Sequence, residues 1–97
     1  MLDFYLLSDV ETEPKIEELD NLDYAGGLEF DTYNRLVGKG IIDSSFDYYS
    51  DFRWGNQLIE QIASKANNFT GDSDVNKLIE IIKKAINREF GLIAFGD

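Results

Sequence analysis

The stretch LDFYLL at residues 2–7 decides between the two fold classes that the sequence allows, α+β and all-α. Phe4 and Leu6 fall on one face, and Asp3 is the one interruption of the apolar run, which is typical of a strand covered on most sides. A second apolar stretch, LIAF, lies at residues 92–95. Because an isolated strand leaves its backbone polar groups unsatisfied, we expect the two stretches to pair with each other.

Between these strands, apolar residues at helical spacing predict about four helices. A short first helix begins at Pro14, a second covers residues 28–37, and the last two begin near Gly55 and Asp72. The apolar residues of the second helix are Phe30, Tyr33, Leu36 and Val37; those of the third are Leu58, Ile59, Ile62, Ala63 and Ala66; those of the fourth are Val75, Leu78, Ile79, Ile82, Ile86 and Phe90. Residues 20–27 read as a loop that ends in a glycine turn.

These elements predict one helix-rich α+β domain over residues 1–97, with short strands near both ends, and an all-α domain is the alternative. The N-terminal residues lack a basic segment and a long apolar run, and no apolar stretch approaches the ~20 residues of a membrane span. We therefore expect a cytoplasmic protein that does not bind membranes. The sequence does not indicate an oligomeric state.

The composition excludes most catalytic chemistry. The chain has no cysteine and no histidine, which excludes Ser-His-Asp and Cys-His catalysis, disulfides and thiolate zinc sites. The run DSDVN at residues 72–76 matches the first ligands of a calcium-binding EF-hand loop, but Lys77 and Lys83 occupy positions that require glycine and glutamate. We therefore predict helix capping there, and neither a metal nor a cofactor. Paired carboxylates such as Asp47 and Asp51 leave a carboxylate enzyme as a remote alternative.

The net negative charge is confined to the first half of the chain. Residues 1–52 carry 13 Asp or Glu and three Lys or Arg, a net charge of −10, whereas residues 53–97 carry six of each and sum to zero. This distribution repels nucleic-acid phosphates and accelerates encounter with a basic partner. Direct nucleic-acid binding is therefore not expected.

The stretch FDYYSDFRW at residues 46–54 combines five aromatic residues with two carboxylates. If it is extended, Phe46, Tyr48, Ser50, Phe52 and Trp54 share one face, and Asp47, Tyr49, Asp51 and Arg53 share the other. Phe46, Phe52 and Trp54 are expected to anchor the core, while the tyrosines and carboxylates form an exposed recognition surface. The candidate partner-binding residues are Asp47, Tyr48, Tyr49, Asp51, Asp23, Tyr24, Glu29 and Asp31.

With these residues in view, the chain resembles the small acidic immunity proteins that accompany bacterial polymorphic, contact-dependent or type VI toxins. The strings that carry the resemblance are LDFYLL (2–7), GGLE (26–29), GIID (40–43) and above all YSDFRW (49–54). The resemblance implies a protein without catalysis that binds a cognate toxin, often a nuclease, and blocks its active site or an exosite. It does not fix the fold.

The sequence thus favours a stoichiometric inhibitor that covers a basic toxin domain. A DNA-mimicking or regulatory module that occupies a DNA-binding protein is the alternative, because it requires the same charge. A carboxylate-based enzyme or sensor domain is the third hypothesis, and it requires a deep pocket with two convergent acids.

Overall fold

The chain folds into a four-stranded sheet and three helices over the parts described by the computed structural model, residues 1–9 and 22–96. In chain order these are β1 (Leu2–Leu7), β2 (Tyr24–Leu28), α1 (Phe30–Gly38), β3 (Phe52–Trp54), α2 (Asn56–Ala66), α3 (Ser73–Arg88) and β4 (Gly91–Phe95). The predicted α+β class is confirmed, and the all-α alternative is wrong. The described residues contain three helices instead of the four predicted, and the helix expected at residues 14–19 lies outside them.

The two apolar stretches near the ends of the chain form the centre of the sheet. The strand order is β2-β1-β4-β3, and each neighbouring pair is antiparallel. In the central pair, Phe4 lies opposite Ala94 and Leu6 lies opposite Leu92. The prediction that these stretches pair with each other is therefore confirmed.

One face of the sheet packs against the helices, and α3 contacts β1, β2 and β4. The strand residues in this core are Leu2, Phe4, Leu6, Ala25, Leu28, Trp54, Leu92 and Ala94. The helical residues Val75, Leu78, Ile82 and Ala85 are each at most 1% exposed. Val75, Leu78 and Ile82 of the predicted stripe are therefore on the buried side of α3, whereas Ile79 and Ile86 are partly buried and Phe90 follows the end of the helix. Trp54 is completely buried, as expected for a core anchor, and Phe46 and Phe52 pack partly buried against the core.

The predicted loop over residues 20–27 is wrong from Tyr24 onward, because Tyr24–Leu28 is the edge strand β2. Gly26 lies inside this strand, opposite Phe4, with a φ of +145°. A Cβ atom built on Gly26 would lie 2.7 Å from the Ile81 Cγ1 atom of α3. The glycine therefore allows close approach of a helix, and it does not mark a turn.

The helix starts depend on groups that helical spacing does not reveal. The predicted helix over residues 28–37 begins at Phe30, because Leu28 belongs to β2. The residue before α2 is Gly55, which has no capping side chain; instead, the backbone N–H of Asn56 donates to both carboxylate oxygens of Asp9, each at 3.1 Å. A residue next to β1 thus stabilises the positive end of a helix far along the chain.

We expect Gly26→Ala to destabilise the fold by about 2–4 kcal/mol, since the added methyl group meets Ile81 and the φ is unfavourable for alanine. The free energy of unfolding can be measured in urea from the fluorescence of Trp54, the chain's one tryptophan. Gly38→Ala is the matched control. A Cβ at Gly38 meets nothing within 4 Å, so this variant should be neutral or stabilised by up to about 1 kcal/mol. Equal effects at the two positions would contradict this account of β2.

Candidate functional site

The aromatic stretch at residues 46–54 turns for most of its length, and it is a strand only over Phe52–Trp54. The prediction of one extended segment is therefore wrong for residues 46–51. The side chain of Asp47 accepts a hydrogen bond from the Tyr49 backbone N–H at 3.1 Å. The backbone carbonyl of Asp47 accepts a second one from the Ser50 N–H at 3.0 Å. Aspartate side chains that bond the backbone two residues later favour turns over sheet ladders.

Tyr48 is buried, so the expectation that it is part of an exposed surface is wrong. It is 8% exposed, and its hydroxyl group donates to the Leu28 carbonyl at 3.1 Å. Its ring packs edge-on against Phe30, with centroids 5.3 Å apart. Tyr48 therefore fixes the turn to the end of β2 and packs beneath the ring of Phe30.

Tyr49 and Phe30 form an exposed aromatic pair. Tyr49 is 59% exposed and Phe30 is 44% exposed; their centroids lie 5.7 Å apart, with 31° between the ring planes. Aromatic residues are enriched at protein–protein interfaces relative to the rest of the surface. Sequence reasoning placed Phe30 on the apolar stripe of a helix. Its position between Glu29 and Asp31 was the available signal that it faces water.

A groove of about 360 Å³ lies beside this pair, between α1 and the turn. We refer to it as the aromatic groove, lined by Phe30, Tyr33, Asn34, Asp47, Tyr48 and Tyr49 among others. The Tyr33 hydroxyl group donates to the Phe46 carbonyl at 2.6 Å. Burial raises the pKa of Tyr33, and the negative charge of Asp47 raises it further. The negative charge of Asp47 therefore interacts with the Tyr33 hydroxyl group in the lining of the groove.

Asp51 has a structural role in the sheet. Its carboxylate accepts a hydrogen bond from the Gly96 backbone N–H at 3.2 Å. A Cβ at Gly96 would lie 2.5 Å from the Tyr48 carbonyl oxygen, so the residue after β4 lies directly against the turn. Asp51 thus helps to hold the turn in place and is less free to serve a partner than the sequence suggests.

Two other predicted residues, Glu29 and Asp31, are exposed and flank Phe30. Glu29 is the N-cap residue of α1, and Asp31 lies in the first turn of that helix, near its positive end. These carboxylates and the aromatic groove therefore belong to one continuous part of the surface.

The predicted residues Asp23 and Tyr24 lie at the opposite end of β2, roughly 13 Å from Leu28 along the strand. Asp23 forms an ion pair with Arg88 of α3. The Tyr24 hydroxyl group donates to Asp3 at 2.8 Å, and burial together with this bond raises the pKa of Tyr24 to about 12. The eight predicted residues therefore divide into two separate groups.

The helix that carries Phe30 and Tyr33 is fixed to α3 by ion pairs. Arg35 donates from Nε and Nη2 to the two carboxylate oxygens of Asp74, at 2.6 and 3.0 Å. Lys39 lies 3.3 Å from Asp72, whose side chain caps α3 by accepting from the backbone N–H groups of Asp74 and Val75. The predicted helix capping at residues 72–76 is therefore confirmed.

The described residues form neither a metal site nor a membrane-spanning helix. No group of three or more Asp, Glu, His or Cys side chains there could hold a metal ion, and no helix there is long and apolar enough to cross a membrane. Three cavities formed by described residues each contain one carboxylate or none. Comparison of the chain with protein-family models, curated proteins and solved structures gave no match.

The Arg35–Asp74 pair makes stability depend on pH. Hydrogen bonding to Arg35 lowers the pKa of Asp74 below its ordinary value of 3.8. The ionised carboxylate is therefore the form that the fold stabilises; this contribution is complete above that ordinary pKa and is lost as the pH falls below it. We expect Arg35→Met to lower the Tm at pH 7, and the Tm difference from the unaltered protein to shrink towards pH 2.

Thermal unfolding at a series of pH values from 2 to 7 measures this difference. Lys83→Met is a suitable control, because Lys83 is an exposed cation of α3 for which the structure shows no ion pair within the described residues. A Tm difference for Arg35→Met that stays constant over the whole range would show that the ion pair is not its cause.

Proposed function

We propose that this chain is an immunity protein that binds a cognate bacterial toxin domain with a basic surface and neutralises it by stoichiometric occlusion. A nuclease is the favoured target. The observation that carries the proposal is the exposed Phe30–Tyr49 pair beside Asp47. An aromatic contact area next to carboxylates suits a partner that presents both apolar groups and cations.

The charge distribution supports the same partner. The pair and the groove belong to residues 1–52, which hold the whole net charge of −10. A toxin domain that cleaves nucleic acid needs a basic surface to bind phosphates. A concentrated negative field speeds encounter with such a surface, and contact at the aromatic pair would then keep the complex together.

The proposal differs in one measurable respect from a DNA mimic, the alternative that the charge also permits. Binding by a DNA mimic rests on carboxylates that replace phosphates, so it tolerates loss of exposed aromatic rings. In the proposed inhibitor, a few central aromatic residues supply most of the binding energy.

We expect the double variant Phe30→Ser/Tyr49→Ser to lose neutralisation. The partner to test is the C-terminal domain of a secreted protein encoded directly upstream, co-expressed with this chain, with growth rescue and the Kd of the purified pair as readouts. The Kd should rise at least about 30-fold, since a hot spot contributes 2 kcal/mol or more. Tyr24→Ser alters an exposed aromatic residue of the second candidate group, 52% exposed at the other end of β2; because the proposal places the interface at the Phe30–Tyr49 pair, this variant should retain rescue.

Two results would oppose the proposal. Full rescue by the double variant would remove the aromatic pair from the interface and favour the DNA mimic. Failure of the unaltered protein to rescue growth from the neighbouring gene product would oppose the immunity function itself.

The flanking carboxylates should act mainly on the association rate. Glu29→Gln/Asp31→Asn removes two charges beside Phe30 without altering the hydrogen bonds that shape the turn. We expect association to slow by a factor of roughly three at low salt and by less at high salt, because salt screens exposed charges. Stopped-flow mixing with the toxin domain at several salt concentrations measures this effect.

The control for this measurement is Glu60→Gln/Glu80→Gln, which removes the same charge from exposed positions of α2 and α3. Equal slowing in the two double variants would indicate that net charge, and not the position of the carboxylates, sets the association rate.

A further inference from the structure

We propose that the aromatic groove binds a single arginine side chain of the partner. This inference rests on the proposed function for the nature of that partner, but the groove can be examined without it. The groove volume of about 360 Å³ lies at the lower end of the range for ligand pockets. It suits one inserted side chain better than a larger ligand.

The aromatic lining favours a planar cation. Phe30 and Tyr49 expose their rings to solvent next to the groove, and Tyr33 and Tyr48 lie within its lining, with centroids 5.5 Å apart. A guanidinium group stacks on aromatic faces and is weakly hydrated, whereas an ammonium group is compact and strongly hydrated. Val37, which also lines the groove, offers an apolar surface for the methylene groups of the arginine.

Asp47 supplies the opposite charge. Its two carboxylate oxygens accept hydrogen bonds from the Tyr49 backbone N–H at 3.1 Å and from the Ser50 hydroxyl group at 3.4 Å. These bonds fix the orientation of the carboxylate and leave further lone pairs on both oxygens, which a guanidinium group can use. Among the described residues that line the groove there is no lysine or arginine, so an incoming cation meets no competing positive charge.

The side-chain amide of Asn34 adds a neutral acceptor to the lining. A guanidinium group has five N–H donors, more than one carboxylate can accept in a single planar contact. A carboxylate, an amide oxygen and aromatic faces together therefore match an arginine better than a lysine, which presents three donors from a point charge.

The test titrates the purified protein with N-acetyl-arginine amide and follows its NMR spectrum. Two comparison ligands are used. N-acetyl-citrulline amide is the neutral analogue of the arginine derivative, and Nα-acetyl-lysine amide carries a free, positively charged side-chain amine. We expect saturable shifts at the Asn34 side-chain amide and at the backbone of Tyr49. Citrulline should bind about tenfold more weakly, and lysine several-fold more weakly.

The variant Asp47→Asn keeps an acceptor for the Tyr49 N–H and removes the charge. We expect it to weaken arginine binding at least about fivefold. Glu60→Gln removes the same charge from the exposed face of α2 and should leave the affinity unchanged, which separates a local contact from general attraction to an acidic protein.

Three results would overturn the inference: no saturable shift in the groove, equal binding of citrulline, or equal binding of the lysine derivative.

Failure of the proposed function is distinguishable from these results. Arginine bound in the groove without neutralisation of a toxin would leave the inference standing and remove the immunity function. Loss of rescue in Phe30→Ser/Tyr49→Ser, together with no arginine binding, would retain the function and remove the inference.

Discussion

The pairing of β1 with β4 is the contact on which the rest of the structure depends. It places two strands from distant parts of the chain at the centre of the sheet, with β2 and β3 added at the two sides. It also brings Gly96 against the Tyr48 backbone, where the Gly96 N–H donates a hydrogen bond to the Asp51 carboxylate. The turn that presents Tyr49 is therefore positioned by the end of β4, so the candidate site depends on the centre of the sheet.

The site is assembled from two sides that are held to different parts of the fold and are joined by the packing of Tyr48 against Phe30. One side is α1, which carries Phe30 and is fixed to α3 by the Arg35–Asp74 pair. The other side is the turn. It is held by the hydrogen bond from the Tyr49 N–H to the Asp47 carboxylate and by the Tyr48 hydroxyl group, which donates to the Leu28 carbonyl of β2. A surface built on rigid supports loses little conformational entropy when a partner binds. The arrangement therefore suits the proposed inhibitor better than a surface on a mobile loop would.

The sequence predicted the parts of the fold that have long or repeated patterns, and it failed where a local contact decides. The central strands and α3 follow from apolar spacing, but β2 was hidden because Gly26 resembles a turn glycine unless the position of Ile81 is known. In the candidate site, Tyr49 and Asp47 were predicted from the composition of residues 46–54, and both are exposed. Burial of Tyr48 and exposure of Phe30 were not, because residue spacing does not reveal which end of an apolar stripe remains uncovered.

The central place of β4 also governs the order in which the molecule can form during synthesis. Residues 2–7 and 24–28 leave the ribosome long before residues 91–95, so one side of β1 stays unpaired for most of translation. Exposed strand edges and an unfilled core favour aggregation of nascent chains. The pairing that completes the sheet is also far apart in sequence, which slows folding. The turn that lines the aromatic groove contacts Gly96, so the groove reaches its final form late, after residues 91–96 have emerged from the ribosome.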